Sequence, residues 1–152
     1  MRKPRVLFLC TGNSARSIMA EALLRHYAPD RLEVFSAGLE PKGINPYTIR
    51  AMREVGLDVS GGRSRDVMEF LGKLHMSYVI TVCSNAEERC PIFPFSTQRL
   101  YWPFEDPAAF LGTDEETAAK FREVRQLIDE RIRAWLREQG IQPSALPAHT
   151  AV

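Results

Sequence analysis

The apolar segment Val6-Leu7-Phe8-Leu9 runs into Cys10-Thr11-Gly12-Asn13-Ser14-Ala15-Arg16-Ser17, a cysteine separated by five residues from an arginine and serine. Those residue types at that spacing can hold a tetrahedral oxyanion against a thiolate. The intervening residues can wrap so that successive backbone N–H groups of Thr11 to Ala15 point inward. The next helix adds its positive N-terminal end, and the Arg16 guanidinium offers a planar fork to two oxygens. The same positive field favours Cys10 as a thiolate. A lone cysteine after a strand is otherwise a small buried hydrophobe, so context decides. Here Gly12 and Asn13 tolerate positive φ, and an amphipathic run with Ile18, Met19, Ala22 and Leu23 starts just after Arg16.

A second set of candidates lies further along. Asp106 precedes Pro107, and proline biases its predecessor to an extended conformation, which suits a general acid held over a leaving oxygen. A plain turn-forming Asp-Pro remains the alternative reading, and Glu105 is a rival acid. Cys83 and Cys90 bracket Ser84-Asn85-Ala86-Glu87-Glu88-Arg89, where Ser84 and Glu87 form a capping-box signature and Pro91 ends the helix. On such a helix the two thiols share one face but sit roughly 10 Å apart at ~1.5 Å rise per residue. A disulfide needs Cα atoms within about 7 Å. Pairing the two thiols therefore requires the helix to unwind, which makes the segment either a redox switch or a site of two structural cysteines.

These residues need elements to position them. Short apolar runs at 6–9, 32–35, 78–82 and 100–102 read as strands, and helical patterns fall near 17–28, 45–55, 66–72 and 116–138, with Thr113 or Asp114 as a cap. This β-α-β alternation predicts a parallel sheet with helices on both faces. Ligands bind beyond the carboxyl ends of strands in such sheets. Cys10, Cys83 and Asp106 all follow strands there, so they are expected to converge on one edge.

Length and composition bound the rest. The 152 residues suit one domain, expected over 1–139, with the Pro- and Ala-rich stretch 140–152 as a loose tail. Twenty Lys and Arg against nineteen Asp and Glu leave a net charge of +1, which gives no bulk attraction to nucleic acid or to a membrane surface. The N-terminal Met1-Arg2-Lys3-Pro4 leads into a strand without a signal-peptide core, and no run reaches the ~20 apolar residues of a membrane span, so a cytoplasmic home is expected. Three cysteines without a CxxC pair or Cys/His cluster argue against a disulfide framework or a structural zinc site.

With the loop from Cys10 to Ser17, then Ser36-Ala37-Gly38, Val82-Cys83-Ser84 to Cys90-Pro91, and Asp106-Pro107 all in order, the chain resembles the thioredoxin-coupled arsenate reductases. These share their fold with the low-molecular-weight tyrosine phosphatases. The resemblance covers about 5–138 and implies a four-stranded parallel sheet flanked by helices, with no bound cofactor. The reaction it implies starts with Cys10 attacking arsenate held by the loop amides and Arg16, while Asp106 protonates the departing oxygen. Cys83 then attacks Cys10 and arsenite leaves. Cys90 takes the disulfide to Cys83–Cys90, and reduced thioredoxin supplies the electrons.

Two departures from the family pattern matter. Relatives of this kind can hold potassium through residues matching Asn13, Glu21 and Ser36 plus a threonine and an aspartate, but this sequence has Arg63 and Arg65 at the last two positions. One of these arginines is expected to pair with Glu21 in place of the ion. Against a tyrosine phosphatase, the nearest rival, stand Ala15 where a second cysteine is usual, Ile18 where a proline is usual, and no tyrosine pair after Pro107. Weak phosphatase activity is still expected, since phosphate and arsenate share shape and charge. A non-catalytic oxyanion-binding or redox-sensing module would need neither a nucleophile nor an acid. A reductase served by a small thiol such as glutathione would need fewer protein thiols.

Overall fold

The structure, a computed structural model, describes residues 2–93 and 97–147. Strand β1 (Arg5–Cys10) leads to helix α1 (Arg16–Tyr27), followed by β2 (Glu33–Gly38), α2 (Pro46–Arg53), β3 (Tyr78–Thr81), α3 (Ser84–Arg89), β4 (Gln98–Tyr101) and α4 (Asp114–Glu138). The strands form one sheet in the order β2-β1-β3-β4, and every pairing is parallel. Val6, Leu7, Phe8 and Leu9 of central β1 are all fully buried. Since alternate side chains point to opposite faces, both faces of the sheet are covered, and an unbroken apolar run is what such a strand requires. On the Phe8 side, Trp102 lies 6.0 Å from Phe8 and 6.0 Å from Trp135, ring centre to ring centre, which seats α4 against the sheet.

Differences from the sequence expectation have local causes. β2 continues through Ser36-Ala37-Gly38 to pair Gly38 with Cys10, although small residues carry little strand signal. Smallness is what the position needs: a Cβ on Gly38 would sit 2.7 Å from the Thr11 carbonyl oxygen and 2.8 Å from the Asn13 nitrogen. The helix expected over 66–72 is a single 3-10 turn, Val67–Glu69, capped reciprocally by Asp66 and Glu69 and followed by Gly72 at φ 77°.

Thr113 starts α4. Its hydroxyl oxygen accepts from the Glu116 N–H (3.1 Å), and the Glu116 carboxylate accepts from the Thr113 N–H (2.9 Å). Tyr47 Oη–H donates to Asp114 at 2.6 Å, tying α2 to the same turn. Thr113→Ala is therefore expected to cost about 1 kcal/mol, read as a lower urea midpoint at unchanged slope.

The tail does not leave the body at residue 140. Gly140, at φ 72°, ends α4, and Ile141 is buried. The Ser144 N–H donates to the Tyr27 carbonyl at 3.1 Å, and Leu146 packs against the core. The apolar Ile141 and Leu146 explain why this stretch folds back in spite of its prolines; 148–152 lie outside the described residues. Among the described residues, no helix is long and apolar enough to cross a membrane.

Candidate active site

Between β1 and α1 the chain closes around the Cys10 sulfur. Asn13 takes the left-handed conformation at φ 46°, and its N–H donates to Cys10 Sγ at 3.1 Å. The Asn13 side chain is wholly buried: its Oδ1 accepts from the Arg65 N–H (2.7 Å), and its Nδ2 donates to Ser17 Oγ (2.8 Å) and Ser36 Oγ (3.0 Å). Because Ser17 Oγ accepts from Asn13, its own hydrogen is free to point at Cys10 Sγ, 2.8 Å away. Two donors thus converge on the sulfur and stabilise negative charge there. The first N–H groups of α1 have no partner within their own helix and follow directly on the same loop.

The loop is clamped from the β2 side. The N–H groups of Leu39, Glu40 and Lys42 donate to the Cys10, Thr11 and Gly12 carbonyls at 3.1, 2.8 and 3.1 Å. The Ser14 carbonyl accepts from the Asn45 N–H (3.1 Å) and Thr48 Oγ1–H (2.9 Å) at the start of α2. With its carbonyls held outward, the loop leaves its N–H groups for the cleft.

Arg16 crosses this cleft. One guanidinium nitrogen donates to the Phe104 carbonyl (3.1 Å) and another lies 3.8 Å from Asp106 Oδ2. Asp106 in turn accepts from the Ala108 N–H at 3.0 Å, which fixes its carboxylate at the mouth. Glu105, the rival acid, is exposed and pairs with Lys120 at 3.4 Å instead. Cys10, Thr11, Gly12, Ser14, Ala15, Arg16, Lys42, Asp106 and Ala108 line an open cleft of about 200 Å³, ample for a small tetrahedral anion.

The other two thiols flank α3. Its N-cap is Cys83 rather than Ser84, and Cys83 Sγ accepts from the Ala86 N–H at 3.4 Å. The helix is only Ser84–Arg89, so the cysteines stand at its two ends instead of on one face. Cys83 is buried at 5% exposure, with its sulfur 3.5 Å from Thr11 Oγ1. Asn85 Nδ2 donates to that same Thr11 oxygen at 2.8 Å, which leaves the Thr11 hydroxyl hydrogen for Cys83 Sγ. The second thiol therefore rests beside the residue that follows the first.

Cys90 is half-buried and packs against the core. Burial pushes its thiol up from the ordinary value; nearby Arg99 opposes this and Glu87 reinforces it. Cys90 is therefore protonated at neutral pH. In a Cys10→Ser/Cys83→Ser protein, its alkylation by iodoacetamide should rise through a midpoint above that of a free thiol, as read by mass spectrometry across pH.

Glu21 is paired, though not as the sequence led us to expect. Ser36 Oγ–H donates to it at 2.5 Å, and its arginine partner is Arg25, one turn along α1, at 2.5 Å. Arg63 binds Glu69 at 2.7 Å instead, and Arg65 contributes only its backbone N–H to Asn13. The spacing of four within a helix, which favours Glu-Arg pairs, was the signal for Arg25. With Asn13 Oδ1, Ser36 Oγ and Glu21 already engaged and a guanidinium at hand, this donor set does not fit a potassium ion. Lys42, Asn85 and the Phe104 carbonyl are the site groups that no motif marked; loop pairing across the sheet edge brings them in.

A nucleophile loop of this geometry at the edge of a four-stranded parallel sheet defines a class. The family model for low molecular weight phosphotyrosine protein phosphatases matches residues 5–144, and the chain belongs to that family. Among characterised relatives, the arsenate reductase of Halalkalibacterium halodurans is 44% identical over 136 residues, spanning 89% of this chain and 96% of its own. A solved arsenate reductase in the phosphate-binding state superposes with a TM-score of 0.71 at 31% identity, covering 89% of this chain and 98% of that one. A thioredoxin-dependent arsenate reductase from Corynebacterium glutamicum gives 0.66 at 33% identity, covering 90% of this chain and 61% of that one.

Proposed function

We propose that this chain reduces arsenate to arsenite through a relay of Cys10, Cys83 and Cys90, with reduced thioredoxin as the electron donor. The observation that carries this reading is the placement of Cys83, whose sulfur lies 3.5 Å from Thr11 Oγ1 immediately beyond the nucleophile, with Cys90 at the far end of the same short helix. Phosphate-ester hydrolysis has no use for that pair. The names of the relatives described above support the same activity.

In this scheme the Cys10 thiolate attacks arsenic, an oxygen leaves as water after protonation by Asp106, and a sulfur–arsenic bond forms. Arg16 and the loop N–H groups hold the remaining oxygens. The Cys83 thiolate then attacks Cys10 Sγ. The electron pair of the sulfur–arsenic bond passes to arsenic, which leaves as arsenite and is thereby reduced by two electrons. Cys90 next attacks Cys83 Sγ, releasing Cys10 and leaving a Cys83–Cys90 disulfide for thioredoxin. For this last step α3 must open. The contacts that give way include Arg89–Glu40 (2.7 Å), Asn85–Thr11 (2.8 Å) and the Arg99–Glu87 ion pair. Three working thiols are suited to a reducing compartment, and a cytoplasmic location is part of this reading.

The test is NADPH consumption with arsenate, thioredoxin and thioredoxin reductase. The reading predicts turnover that depends on all three additions. Hydrolysis of p-nitrophenyl phosphate without any arsenate-dependent NADPH loss would assign the site to phosphatase chemistry instead.

A further inference from the structure

The cleft holds a second cation that the scheme above leaves without a task. Lys42 lines it beside Cys10, Arg16 and Asp106. Its backbone N–H is fixed on the Gly12 carbonyl at 3.1 Å, and its stem lies flat over Gly12, where a Cβ would come within 2.7 Å of Lys42 Cε. Arg16 shares its charge with Asp106 at 3.8 Å and with the Phe104 carbonyl. The Lys42 ammonium has no ion pair or hydrogen bond among the described residues. A lysine whose stem lies along the cleft lining can present its cation to an entering anion.

We infer that Lys42 is a specificity-determining residue, the rim cation that binds the outward-facing oxygens of a doubly charged tetrahedral oxyanion. The inference deepens the proposed function by assigning the second substrate charge to a named group. Arg16 meets the first charge from within, and Lys42 meets the second from the mouth. Its effect falls on capture and binding, since it touches neither sulfur nor leaving oxygen.

Lys42→Met keeps the stem over Gly12 and removes the charge, whereas Lys42→Arg keeps the charge. Two readouts apply: steady-state arsenate kinetics, and the dissociation constant of inorganic phosphate obtained from its protection of Cys10 against iodoacetamide. For Lys42→Met, KM and the phosphate constant should both rise about tenfold with kcat held within a factor of about two, and the salt dependence of kcat/KM should flatten. Lys42→Arg should stay within about twofold of wild type on every measure. The inference is overturned if Lys42→Met leaves the phosphate constant within about twofold of wild type, or if Lys42→Arg loses as much as Lys42→Met. Phosphate protection requires no reduction, so a wild-type protein that is protected yet never consumes NADPH contradicts the proposed function alone.

Discussion

Cys83→Ser protein given arsenate is expected to release no arsenite, while Cys90→Ser protein is expected to release one equivalent and stop. The difference follows from where the two thiols stand. Cys83 is held beside Thr11, and in the proposed relay it is the thiol that attacks the Cys10–arsenic adduct, so without it the sulfur–arsenic bond has no attacking thiolate. Cys90 stands beyond Arg89 at the other end of α3, and in the proposed relay it acts only after arsenite has gone. Without it the Cys10–Cys83 disulfide stays in a site where both sulfurs are buried, out of thioredoxin's reach. Steady-state NADPH consumption should fall by on the order of a thousandfold in each variant, and a rapid-quench arsenite assay separates zero equivalents from one. Normal turnover by either variant would remove the relay from the account.

The second large effect is at Arg16. Arg16→Lys keeps the positive charge but loses both the fork that grips two oxygens and the bridge from Phe104 to Asp106. Loss of a preorganised oxyanion donor costs roughly 10²–10³ in rate. A drop of that size in kcat/KM is expected for arsenate reduction and for p-nitrophenyl phosphate hydrolysis alike, because both substrates use the same fork. If Arg16→Lys retained kcat/KM within about tenfold for both, bidentate recognition would not be what holds the oxyanion.

Much of this was legible in the residues themselves. The unbroken run Val6 to Leu9 announced a strand buried on both faces, and Cys10 announced the strand-to-helix turn that follows it; strand and turn stand as read. What failed to show were features set by contacts between distant segments. Ser36-Ala37-Gly38 lacks β-branched residues, yet pairing with β1 extends β2 through it. Cys83 rather than Ser84 caps α3, because the sulfur can accept from the Ala86 N–H while it touches Thr11. The sequence also pointed Arg63 or Arg65 at Glu21, when a neighbour on the same helix was nearer in space. Folding back of 141–146 rests on two apolar side chains in a stretch whose composition reads as loose.

The most direct measurement is disulfide mapping after a single turnover. Fully reduced protein is mixed with one equivalent of arsenate without thioredoxin, free thiols are alkylated, and peptides are read by mass spectrometry. The relay predicts one equivalent of arsenite, a Cys83–Cys90 disulfide, and Cys10 recovered as the alkylated free thiol. Three alkylated cysteines with arsenate unchanged would contradict it.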